Sequence, residues 1–132
     1  MSHQVLQPKG WVRPRGYANG IAASGRYVVI AGQIGWDAQG TFQSDRFTDQ
    51  LRQALSNIVA VLAEAGGRPE HLVRLTWYVT SRDEYLAEIA GVGAVYREVL
   101  GRNFPAMSVV QVAALIESRA KVEVEATAVL PT

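Results

Sequence analysis

The 132-residue chain contains no cysteine, which excludes a disulfide framework, a thiolate nucleophile and a cysteine-ligated zinc site. Histidine is nearly absent too. His3 and His71 stand far apart, and neither has acidic or histidine neighbours at ligand spacing, so no metal site is predicted. No apolar run approaches the ~20 residues that span a bilayer, and the polar segment Met1 to Gly10 lacks the apolar core of a signal peptide. A soluble cytoplasmic protein is the expectation. An excess of one charge is also missing: 13 Lys and Arg against 12 Asp and Glu leave a net charge of +1. The nearest thing to a basic patch is Arg13, Arg15 and Arg26, and Arg13 and Arg15 flank a proline in the manner of a solvated loop. Nucleic-acid binding is therefore not expected. No serine has histidine and aspartate support for a triad, and Gly16-Tyr17-Ala18-Asn19-Gly20 lacks the lysine and following helix of a phosphate loop. No cofactor is predicted.

What is present reads as one α+β domain over residues 1–132, with residues 1–10 loosely ordered. After a loop punctuated by Pro14, Gly16 and Gly20, Tyr27 to Ile34 is a near-continuous apolar strand, which predicts cover on both faces. Gly32 within it marks a bulge or the close approach of another group. A helix is predicted from Ser44 or Asp45, with Phe47, Leu51, Leu55, Ile58, Leu62 and Ala65 as its apolar stripe. Gly66-Gly67 and Pro69 end it.

Leu72 to Thr80 is the next strand, with Val73, Leu75, Trp77 and Val79 on one face. Ser81-Arg82-Asp83-Glu84 has the form of a capping box and opens a second helix, along which Tyr85, Ile89, Val92, Tyr96 and Val99 make the apolar line. Gly91 and Gly93 each cost that helix about 1 kcal/mol relative to alanine, so either close packing or tolerance must explain them. Finally, Pro105 introduces a β-branched strand. Lys121 to Val129 then alternates strictly, with Val122, Val124, Ala126 and Ala128 on one side and Lys121, Glu123, Glu125 and Thr127 on the other. The two strands are expected to be neighbours, joined through Glu117-Ser118-Arg119. Both helices should cover one face of a mixed sheet; nothing is left to cover the other, which predicts self-association.

The segment Pro105-Ala106-Met107-Ser108, the apolar strand after it and Val122-Glu123-Val124-Glu125-Ala126-Thr127-Ala128-Val129 together resemble the C-terminal signature of the Rid family, the reactive-intermediate deaminases also called YjgF or L-PSP proteins. Gly16-Tyr17, Ala31-Gly32-Gln33-Ile34, the helix carrying Gln50, Ala54, Leu55 and Asn57, and Ala65-Gly66 also have family counterparts, so the resemblance runs over nearly the whole chain. It implies a homotrimer around a central barrel, with small-molecule pockets at the subunit interfaces and cofactor-free hydrolysis of imines or enamines. Carried over residue by residue, Glu123 matches the glutamate that places the attacking water. Gly32 matches the glycine whose backbone completes the site, and Tyr17 the pocket tyrosine.

The departures weigh against simple 2-imino acids as substrates. The family's carboxylate-binding arginine is Met107 here, its serine is Ala31, a frequent cysteine is Val109, and an asparagine aligns with Gly93. A guanidinium grips a carboxylate in bidentate fashion, whereas a thioether offers only a polarizable apolar surface. Two explanations stay open: another cation, Arg13 or Arg15, has moved in, or the ligand is not a simple amino-acid derivative. Trp36 fits either an aromatic wall for a larger ligand or a packed residue at a subunit interface. Glu125 shares the polar face with Glu123, where alternating charge ordinarily marks a solvated surface. The alternative to an enzyme is a non-catalytic metabolite-binding or chaperone-like homotrimer.

Overall fold

The computed structural model describes residues 3–132. Its centre is a four-stranded sheet in the order β3-β6-β4-β5, formed by β3 (Arg26–Ile34), β4 (Leu72–Val79), β5 (Ala106–Gln111) and β6 (Val122–Leu130). Two short strands, β1 (Gln4–Leu6) and β2 (Gly20–Ala22), pair separately. The N-terminal segment expected to be loose thus supplies a strand; Met1 and Ser2 lie outside the described residues.

The expected adjacency of the last two strands does not hold, because β4 lies between them. β4 and β5 are parallel, and a parallel pair needs a crossover, here the helices α2 (Arg82–Ala87) and α3 (Ile89–Leu100). That leaves the other side of β4 to β6, which pairs antiparallel with both β4 and β3. The sheet is mixed, as the sequence predicts.

The long helix α1 (Phe47–Glu64) lies over β3 and β6 and packs against α3. Phe47, Leu51, Leu55, Ile58 and Leu62 are all buried, as their spacing requires, while Ala65 is half-buried. The helix begins later than predicted. Ser44 takes the Arg46 N–H (3.0 Å) and donates to Asp49 (2.8 Å), while Asp45 turns outward to pair with Arg119 at 2.8 Å. Arg46, with no side-chain cap, becomes the first flanking residue. At the other end Gly66 adopts φ 79°, and the Gly67 N–H returns to the Leu62 carbonyl.

Beneath α1, Val122, Val124, Ala126 and Ala128 are buried, as the alternation predicts. In β4 a register shift between Leu72 and Arg74 turns Leu72 inward and leaves Val73 only half-buried, so the buried set is Leu72, Leu75, Trp77 and Val79. The second predicted helix is broken at Glu88 (φ −107°, ψ 19°). Ser81 caps α2 by accepting the Glu84 N–H at 3.0 Å, but the reciprocal half of the capping box is absent: the Glu84 carboxylate pairs with Lys121 at 2.8 Å instead. Beyond the break Ile89 is 48% exposed, and the buried face passes to Val92, Val95, Tyr96 and Leu100. Gly91 owes its identity to packing, since a Cβ there would stand 3.0 Å from the Thr48 methyl on α1.

The opposite face of the sheet is bare. Tyr27 is 69% and Val29 77% exposed, so the two-sided cover predicted for β3 does not come from this chain. Gly32 does sit at a bulge, the register of β3 against β6 shifting between Ile30 and Gln33.

One buried polar side chain holds three connections together. Gln50, 1% exposed, donates to the carbonyls of Ser44 (3.1 Å) and Arg119 (3.0 Å) and accepts from the Lys121 N–H (2.8 Å). Replacing it by leucine leaves those backbone groups without partners at a cost of about 1–3 kcal/mol for each one that stays dry. Gln50→Leu is expected to lose about 2–4 kcal/mol by urea denaturation, and a loss below ~1 kcal/mol would mean that water replaces the amide.

Candidate functional site

Trp36 apart, the residues singled out in the sequence fall into three places. Met107, on β5, points to the helix side and packs against the core. It lines a cavity of about 310 Å³ together with Arg15, Gly16 and Gly93. The inner wall is a ladder of rings. Trp77 stacks on Tyr96 (centroids 6.2 Å apart, planes at 26°), and Tyr96 stacks on Phe104 (5.4 Å, 12°). The Tyr96 hydroxyl donates to the Asn103 carbonyl, and burial pushes its pKa well above the usual phenol range. Trp77 is 2% exposed, and its indole N–H has no hydrogen-bond partner among the described residues.

The cavity's outer part is basic. Arg97, one helical turn beyond Gly93, lays its guanidinium against that glycine: a Cβ on Gly93 would stand 3.3 Å from Arg97 Nη1. The sequence reading did not single out Arg97. Its signal was the i, i+4 spacing from Gly93, which puts both on one side of α3.

Arg13 and Tyr17 line a different cleft, about 430 Å³, in which Phe104 forms the partition from the Met107 cavity. The loop that carries them is fixed beside β5, where the Ala18 N–H donates to the Pro105 carbonyl at 2.9 Å. The two candidate arginines are therefore divided: Arg15 shares the cavity of Met107, and Arg13 does not.

Glu123 and Gly32 lie elsewhere, on the bare face of the sheet. The Glu123 carboxylate lies across Gly32 so closely that a Cβ there would fall 2.0 Å from Oε2. No side chain longer than hydrogen fits at position 32 while Glu123 stays put. Glu123 also lines a cleft of about 290 Å³ with Tyr78, Val112, Leu115 and Glu125. Its neighbour Glu125 is occupied: the Tyr78 hydroxyl donates to it, and that carboxylate, more than the partial burial, raises the tyrosine's pKa. Glu123 takes part in no ion pair or side-chain hydrogen bond among the described residues, which leaves its oxygens available to a water molecule or a ligand.

Trp36 joins none of these clefts. It packs against Phe42 (5.9 Å) at the turn where the Asp37 N–H meets the Thr41 carbonyl, and Asn57 on α1 donates to its carbonyl at 2.9 Å. Asn57 also donates to the Ile34 carbonyl at 3.1 Å. Two of the helix residues that carry the resemblance, Gln50 and Asn57, are thus structural ties. Among the described residues no cluster of His, Asp or Glu could hold a metal ion, and no helix is long and apolar enough to cross a membrane.

Comparison with known proteins adds three kinds of likeness. The family model described as Endoribonuclease L-PSP matches residues 12–130. A RutC family protein of Synechocystis is 35% identical over the full length of both chains. A 2-iminobutanoate/2-iminopropanoate deaminase of Capra hircus is 34% identical over 79% of this chain and 73% of its own. The crystal structure of YyfB, a Rid-family protein of unknown function from Yersinia pestis, superposes with a TM-score of 0.85 at 32% identity, covering 98% of this chain and all of the other. The matched span runs from the loop before Tyr17 to the end of β6, and on it the chain belongs to the L-PSP family, with Rid and RutC proteins as its relatives.

Proposed function

We propose that the protein is a homotrimer whose subunit interfaces form small-molecule pockets, and that it hydrolyses the C–N bond of an imine or enamine without a cofactor. The observation that carries this reading is the Glu123 carboxylate, unpaired and lying across the backbone of Gly32 on a bare sheet face. Support for assembly comes from that face, where Tyr27 and Val29 are too exposed for a finished surface, and from the sheet edges, since β3 has one side unpaired and β5 is covered only at its start by the Ala18–Ala106 bridge. Glu123 and Met107 lie on opposite faces of the sheet within one chain, so a pocket that uses both must take one of them from a neighbouring subunit.

In the reaction proposed, Glu123 accepts a proton from water as its oxygen adds to the C=N carbon. The nitrogen gains protons, the C–N bond breaks, and a carbonyl compound and ammonia leave. Atoms balance with water as the only co-reactant. The relative from Capra hircus is named for this chemistry on two small imino acids. Met107 offers no charge to a carboxylate, so the substrate of this chain is proposed to differ from those.

A second reading, a trimer that binds a metabolite without consuming it, is favoured by Met107 and Gly93, which put no polar side chain at the two positions where the resemblance implies an arginine and an asparagine. Hydrolysis of a panel of imines, 2-imino acids generated by an amino-acid oxidase and carboxylate-free imines generated by an amine oxidase, each trapped with semicarbazide, separates the two. Glu123→Gln should slow turnover by about a hundredfold or more while sedimentation at trimer mass is unchanged; an unaltered rate sinks the role given to Glu123. Gly32→Ala should act the same way, because its methyl displaces the carboxylate. Met107→Arg should raise activity on 2-iminopropanoate by about ten- to a hundredfold. No gain in that variant, with wild type also inactive on the whole panel, would favour the binder.

A further inference from the structure

We infer that the cavity beside Met107 binds a monocarboxylate with a flat, apolar body, and that Arg97 and Arg15 supply the charge for its carboxylate. Resting on the reading of the chain as a small-molecule pocket protein, the inference adds the ligand's class and the residues that select it.

Two guanidiniums border the cavity, and neither makes an ion pair among the described residues. Arg46, Arg52, Arg68 and Arg119 are each paired with a carboxylate, and of the arginines that make no ion pair among the described residues, Arg15 and Arg97 are the two that border this cavity. Unpaired arginines at the mouth of an apolar recess are poised for a carboxylate from outside, which they grip through parallel N–H bonds. Gly93 makes room for this arrangement, since a side chain there would press on Arg97.

The body of the ligand follows from the walls. Trp77, Tyr96 and Phe104 stack on one another, so they meet the cavity by their edges, and with Met107, Ile89 and Val92 they make an apolar wall that favours an aromatic or branched apolar group through edge-to-face and thioether contacts. The volume, about 310 Å³, is at the small end of ligand pockets and suits an amino-acid-sized molecule rather than a nucleotide.

Direct binding tests this without turnover. 3-Phenylpropionate is titrated into the full chain by calorimetry, beside 3-phenylpropionamide, which keeps the ring and loses the charge, and propionate, which keeps the charge and loses the ring. The acid should saturate one site per chain, with each analogue at least about tenfold weaker. Arg97→Gln and Arg15→Gln, both exposed and so harmless to folding, should each weaken the acid by about tenfold or more and leave the amide unchanged. Arg97→Lys should recover part of the loss. Equal affinity for acid and amide, unaltered binding of the acid in the double Gln variant, or no saturable binding at all would overturn the inference. Glu123→Gln keeps the two readings apart. Acid binding as described beside unchanged turnover in that variant removes the catalytic role and leaves the ligand class standing. Lost turnover in that variant without acid binding does the reverse.

Discussion

The alternation along β6 governs the rest of the structure. β6 lies inside the sheet with a partner on each side, so its backbone is spent on pairing and only its side chains remain to define the two faces. Val122, Val124, Ala126 and Ala128 make one face dry, and α1 settles there because its own stripe must be buried. The small alanines at 126 and 128 leave space for the large residues of that stripe. A shift of register by one residue would send Glu123 and Glu125 beneath α1 and the valines into water, so pairing and chemistry are fixed by the same constraint.

That constraint also sets the geography of the site. Glu123 must face away from α1, and Met107, on an edge strand reached by a helical crossover, faces toward α3. One chain therefore carries its two groups of candidate residues on opposite sides of a sheet. The glutamate group has backbone, carboxylate and an open face; the methionine group has rings, a recess and cations at its mouth. The proposed assembly through the bare face would join groups that the fold of one chain keeps apart.

Much of the fold was legible in the sequence because burial imposes a period. The stripe of α1, the inward set of β6 and the bulge at Gly32 all lie where spacing and residue type put them. Strand order was less legible: the last two strands are close in sequence, but a helical crossover makes β5 parallel to β4 and inserts β4 between them. Cap positions failed where side chains had stronger partners elsewhere. Asp45 is drawn to Arg119 and Glu84 to Lys121, and local propensity does not register attractions across the fold. Glu123 and Gly32, both carried over from the resemblance, lie side by side, and Trp36 stands in a turn against Phe42. Arg97 was invisible because its significance depends on a residue with no side chain.

The relation between Gly93, Arg97 and Met107 gives the cavity its character. An arginine rising from the strand at 107 would place its charge amid the aromatic rings, where desolvation is costly unless a ligand always accompanies it. Methionine there makes the floor apolar, and the missing side chain at 93 lets Arg97 approach from the helix while its guanidinium stays in contact with water. The charge thereby moves from the floor of the recess to its mouth. A ligand held at the mouth by its acid group must extend inward, where it meets an apolar lining of aromatic rings, the Met107 thioether, Ile89 and Val92. Specificity in such a pocket comes from the body of the ligand as well as from its carboxylate: a two- or three-carbon acid would satisfy the arginines and leave the aromatic ladder uncovered.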